Sequence, residues 1–192
     1  MRLSSLSASA LAAALVAAAA VLAFSQLPTL FVWAAFIGWA SYDQSGATAQ
    51  AARRSSAALL FGVLMAWLVA MIVAVRLLPL NTPIATAVVA GIASFLIVQA
   101  SRAALFSVVP ATFYGFASTF AYLSLSTGRL AIEAMTSTSW ANALLSVSVS
   151  LLIGTGLGIA HSRLACVLAG YRGGSARLGG SNSTPASAPG ET

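Results

Sequence analysis

The sequence has 192 residues, 59% hydrophobic and only 6% charged, with a formal charge of +6 and one cysteine. Soluble domains carry about 25% charged residues, so this composition cannot clothe a water-facing surface and predicts an integral membrane protein. Cys166 and His161 are the only soft ligands, which excludes an intrachain disulfide and leaves a zinc or iron site short of partners.

Six apolar segments follow in chain order, over 6–25, 29–43, 56–79, 83–101, 103–124 and 139–161. The expected fold is all-α: a polytopic membrane helix bundle over 1–165, followed by a Gly/Ser/Pro-rich cytoplasmic tail over 170–192 whose composition favours disorder. The first segment has two readings. Arg2, an apolar run and Val21-Leu22-Ala23 resemble a cleavable signal peptide, whereas its continuity with the next apolar segment favours a retained helix.

The second segment, at about 22 Å of helix, is short of the ~30 Å hydrocarbon core. It reads either as a thin crossing or as a re-entrant half-helix between Pro28 and the stop signal Asp43-Gln44-Ser45-Gly46. The fourth begins at a cap, Asn81-Thr82-Pro83. The fifth contains Pro110, which mid-helix would kink the segment and free the Phe106 carbonyl. Between the fifth and sixth, Arg129 and Glu133 are expected to form a weak exposed pair.

All nine basic residues are arginines at segment ends, not a clustered face for nucleic acid. If every segment crosses, Arg2, Arg53, Arg54, Arg102, Arg163, Arg172 and Arg177 share a side, opposite Arg76 and Arg129. The positive-inside rule then puts both termini in the cytoplasm. A re-entrant second segment would move the N-terminus alone.

One block occurs twice, as Phe36-Ile37-Gly38-Trp39-Ala40-Ser41 and Phe113-Tyr114-Gly115-Phe116-Ala117-Ser118, each downstream of a proline. An offset of 77, the distance from Phe36 to Phe113, lays the first helix over the fourth and the second over the fifth. Three segments per unit imply a 3+3 inverted repeat, an arrangement that sets solute sites between the halves. Phe36, Gly38, Trp39, Tyr42, Pro110, Thr112, Phe113, Gly115 and Thr119 are the expected pathway residues, converging on one cavity. Ordinary packing, or interfacial anchoring for Trp39 and Tyr42, is the competing explanation.

Small residues at four-residue spacing mark helix faces where backbones approach closely. Gly62 carries this signal in the third helix, and Asn142, Ser146, Ser150, Gly154 and Gly158 carry it in the last; Gly91 of the fourth helix is also expected to pack. The serines of that last stripe are also readable as a polar path. Only three carboxylates exist, Asp43, Glu133 and Glu191, with no nucleophile elbow, phosphate loop or metal signature. An enzyme is not expected, nor any cofactor.

Two stretches resemble a family of small bacterial inner-membrane proteins with a domain of unknown function, of the YcdZ type. One is Trp33-Ala34-x-Phe36-x-Gly38-x-x-x-Tyr42. The other runs from Gly91-Ile92 and Phe95-Leu96 through Ser107-x-Val109-Pro110-x-Thr112-Phe113-x-Gly115 to Thr119-Phe120-Ala121. The resemblance spans about residues 8–160 and implies a multi-helix inner-membrane protein; it brings no substrate. The function expected is a channel or transporter for a small polar, uncharged solute, as a homo-oligomer in the bilayer. The alternative is an accessory or assembly protein whose small-residue faces bind partner helices.

Overall fold

The computed structural model describes residues 4–125 and 127–170; most of the predicted tail, together with Arg2, Arg172, Arg177 and Glu191, lies outside them. Among the described residues the fold is all helical, as expected. The helices are α1 (Ser5–Ser25), α2 (Val32–Gln44), α3 (Ala49–Ala74), α4 (Thr82–Ala100), α5 (Val109–Ser124), the one-turn α6 (Ile132–Thr136) and α7 (Ala143–Leu168), with 3-10 turns at Ala104–Phe106 and Thr127–Leu130.

Four of the starts carry side-chain caps that satisfy a free backbone donor. Ser4 accepts from the Ser7 amide at 3.1 Å, Thr48 from Ala51 at 3.0 Å, Asn81 from Ile84 at 3.1 Å and Asn142 from Leu144 at 2.9 Å. The α2–α3 turn needs left-handed backbone at Gly46 (φ 101°) and Ala47 (φ 51°). Glycine adopts that geometry without a Cβ clash.

Four helices, α1, α3, α4 and α7, are long and apolar enough to cross a membrane. The other two apolar helices are short: α2 has 13 residues and α5 has 16. The sequence suggested one short segment, and the difference comes from Pro110. It sits in the first turn of α5, where no helical donor is required of it, so the mid-helix kink predicted for the fifth segment does not form. The preceding residues turn back as the Ala104–Phe106 3-10 helix, whose Phe106 ring lies 4.7 Å from that of Phe61 on α3. Two boundaries also move. Arg53 and Arg54 lie inside α3 rather than before it, and α7 continues to Leu168, placing His161 within a helix rather than at its end.

The two halves of the chain bury matching positions. On α2 these are Ala34, Ala35, Gly38, Ser41 and Tyr42; 77 residues on, α5 buries Ala111, Thr112, Gly115, Ser118 and Thr119. Ala8, Ala12, Val16 and Ala20 of α1 correspond in the same way to Ala85, Val89, Ala93 and Ile97 of α4. With an offset of 92, the distance from Gly62 to Gly154, buried Ala58, Leu59, Gly62, Val63 and Ala66 of α3 correspond to Ser150, Leu151, Gly154, Thr155 and Gly158 of α7. The packing is crosswise. The first half's α1 and α2 lie on α7, the second half's α4 and α5 lie on α3, and α3 faces α7.

Candidate solute site

The two short helices meet their partners backbone to backbone. A Cβ at Gly38 would run into the Leu151 carbonyl of α7, and one at Gly154 into the Ala35 carbonyl of α2. The other half repeats this contact. A Cβ at Gly115 would strike the Leu59 carbonyl of α3, and one at Gly62 the Thr112 carbonyl of α5. Leu59 and Leu151, like Ala35 and Thr112, are themselves related by the repeat offsets, so the four contacts form two reciprocal pairs.

Around this seam the buried side chains are mostly alanine and hydroxyl residues, and the hydroxyls find partners close by. Ser41 and Ser55 bond at 2.7 Å, Thr119 donates to the Gly115 carbonyl at 3.0 Å, and Ser150 donates to Ser146 at 2.6 Å while accepting from the Phe31 amide at 3.0 Å. Ser146 donates to the Trp140 carbonyl. Ser118 Oγ is buried without a partner. A buried hydroxyl left unpaired is costly in an apolar interior, which makes Ser118 an unsatisfied polar point on the α5 face of the seam among the described residues.

The nine expected pathway residues therefore divide. Gly38, Thr112, Gly115 and Thr119 face the seam, as does Tyr42, whose hydroxyl donates to the Ala47 carbonyl at 2.8 Å. Phe36 and Trp39 are half-buried, their rings 6.2 Å apart. Phe113 and Pro110 are exposed. None of the nine lines either of two cavities at the far end of the bundle, of about 580 and 280 Å³, which sit where α3 and α5 finish and α4 begins. Each Phe-x-Gly block instead meets a long helix by main-chain contact, Gly38 on α7 and Gly115 on α3, because residues without a Cβ let helices close on each other.

Among the packing residues, Gly62 and Gly154 form the seam, and Gly158 faces the Tyr42 and Trp39 rings, where an added Cβ would come within 2.6 and 3.0 Å. Gly91 packs against none of the described residues. It lies on the exposed side of α4 with nothing within reach of an added Cβ. Asn142 caps α7 and donates to the Ser137 carbonyl at 2.8 Å rather than lining a path.

Sequence reading missed a polar cluster at the other end of the bundle. His161 Nε2 lies 3.2 Å from Ser9 Oγ, its ring is 5.2 Å from that of Trp39, and Nδ1 is 3.9 Å from an Asp43 oxygen without forming a hydrogen bond. Arg129 also departs from expectation. Its guanidinium lies 4.1 Å from the Tyr122 ring centre and 5.2 Å from that of Phe31, a cation–π arrangement in place of a pair with Glu133. The Tyr122 hydroxyl in turn donates to the carbonyls of Trp140 at 3.1 Å and Ala141 at 2.9 Å, holding the α5–α7 connection.

The chain belongs to a family described as a protein of unknown function (DUF1097), whose profile matches residues 10–166, the whole of the helical bundle but for its edges. No curated protein and no solved structure matches it.

Proposed function

We propose that this member of a family of unknown function is a carrier for a small, polar, uncharged solute, built as a 3+3 inverted repeat. The observation that carries the reading is the reciprocal seam: Gly38 on Leu151 and Gly154 on Ala35 in one place, Gly115 on Leu59 and Gly62 on Thr112 in the other. Short apolar helices in matching positions of two halves are the sequence-level mark of solute sites in such folds. Here the short helices α2 and α5 bear the matched Phe-x-Gly blocks. The seam is closed by backbone, which favours a carrier that opens by moving its halves over a standing pore. The hydroxyls of Ser41, Ser55, Thr112, Ser118 and Thr119 would offer hydrogen bonds to a neutral solute once the seam parts. Their burial also weighs against the accessory-protein alternative, in which the polar stripes would face outward to a partner helix.

Further parts of this reading come from sequence. The arginine distribution favours both termini in the cytoplasm of a bacterial inner membrane, in line with the YcdZ-type resemblance. A bundle with so few full-length crossings suits a homo-oligomer. We assign it no catalytic residue, cofactor, metal or nucleic acid. The test is uptake into liposomes holding the purified protein, screened over small polyols, amides and other neutral compounds. Saturable uptake that Gly38→Leu or Gly115→Leu abolishes supports the carrier; a panel in which no compound enters faster than into protein-free liposomes overturns it.

A further inference from the structure

The larger cavity lies away from the seam. Its volume of about 580 Å³ falls in the range typical of ligand sites, about 300–1,000 Å³. Val73, Phe120, Leu123 and Ile132 give it apolar walls, and among the described residues Arg76 is the one charged residue lining it. Arg76 also borders the adjoining 280 Å³ cavity. Among the described residues the one acid–base contact within 4 Å is His161 with Asp43, so this guanidinium has no carboxylate beside it. It stays charged at any working pH. Thr86 already donates to the Thr82 carbonyl at 2.8 Å, while the Thr82 hydroxyl makes no hydrogen bond among the described residues and lines the same wall.

Depth is the second consideration. The 26 residues of α3 span about 39 Å, more than the ~30 Å hydrocarbon core. Arg53 and Arg54 lie near one end of that helix and Arg76 just past the other, which puts Arg76 at the level of lipid headgroups with an apolar recess next to it. A guanidinium at that level donates paired, charge-assisted hydrogen bonds to a phosphate or carboxylate head. The repeat does not dictate this cation. The position matching Arg76 in α7 is Leu168 and the one matching Phe120 in α2 is Asp43.

We propose that this recess binds an anionic amphiphile: a phosphate or carboxylate head accepts hydrogen bonds from Arg76 and Thr82, and its apolar chain lies against Val73, Phe120, Leu123 and Ile132. The site is separate from the seam and does not depend on the carrier reading. Purified full-length protein in non-ionic detergent, examined by native mass spectrometry, provides the test, with phosphatidylglycerol, oleate, phosphatidylcholine and inorganic phosphate as probes. One molecule of phosphatidylglycerol or oleate should be retained per chain. Arg76→Gln should weaken retention about tenfold or more, the loss of a charge-assisted contact. Arg76→Lys should keep most of it, and Arg102→Gln all of it. Ile132→Trp, filling the recess from an exposed position, should also weaken it. Retention of phosphatidylglycerol alone identifies a bilayer lipid as the source, and oleate alone a free fatty acid; either supports the assignment. Phosphatidylcholine or inorganic phosphate held as tightly as the acidic amphiphiles overturns it, as does unchanged retention by Arg76→Gln. Uptake in the liposome assay bears on the carrier and leaves this result untouched.

Discussion

The two ends of the bundle that offsets of 77 and 92 residues place in correspondence differ in chemistry. At one end Ser9, Trp39, Asp43 and His161 cluster around an imidazole, with Trp39 at 5.2 Å and Asp43 at 3.9 Å. The residues matching these four at the other end are Thr86, Phe116, Phe120 and Val69. There the rings of Phe116 and Phe120 lie 5.1 Å apart and pack against Val69, with no ionisable group among them. The seam between these ends is the reverse case, since its glycines, and the carbonyls they meet, recur position for position. Packing that brings main chains together tolerates almost no change at either copy, while an end of a helix can be polar or apolar without disturbing it. What the two halves share is therefore close backbone packing, and what differs is the side chains at their ends.

The largest expected effect tests the shared part. Gly154→Leu should cost about 3 kcal/mol or prevent folding, because the added side chain meets a carbonyl that cannot repack. Gly62→Leu, its counterpart, should cost the same within error. Thermal unfolding in detergent measures both, and a large inequality would break the equivalence of the halves. Tyr122→Phe comes next, at about 1 kcal/mol: the Ala141 carbonyl is left without its donor, while that of Trp140 keeps Ser146. That loss falls on the α5–α7 connection, for which the first half has no equivalent, so limited proteolysis there should accelerate.

His161→Val installs the residue that the other half carries at Val69. About 1 kcal/mol is expected from the lost Ser9 hydrogen bond and the Asp43 contact. A gain in stability would mean that the polar end is maintained against the packing preference, which sharpens the case for a task there. The smallest effect belongs to Gly91→Leu. This exposed position should change unfolding by no more than about 0.5 kcal/mol, and a large loss would reveal a partner helix on that face of α4.

Much of this was legible in sequence because it depends on local periodicity. The four-residue spacing around Gly62 and Gly154 marks close-packed faces, and the repeated Phe-x-Gly blocks mark α2 and α5. The packing expectation misleads at Gly91, since a glycine reports that approach is allowed, not that a neighbour is there. Pro110 was ambiguous for a different reason. Whether proline kinks a helix or opens one depends on the residues before it, and Ala104–Phe106 leave the helical path to pack on Phe61. The encounter of Asp43 with His161, and of Arg129 with Tyr122 and Phe31, arises from helix placement in space. No spacing rule along the chain announces either.

The seam also constrains the genetics of this protein. At Gly38, Gly62, Gly115 and Gly154 the obstacle to a larger residue is a peptide unit, and no codon change alters a peptide unit's bulk. Revertants of a substitution at any of the four should therefore restore glycine itself rather than arise at a second site. Gly158 is the contrasting locus. Its neighbours are the Tyr42 and Trp39 rings, which mutation can shrink, so Gly158→Ala should yield intragenic suppressors at codons 39 or 42.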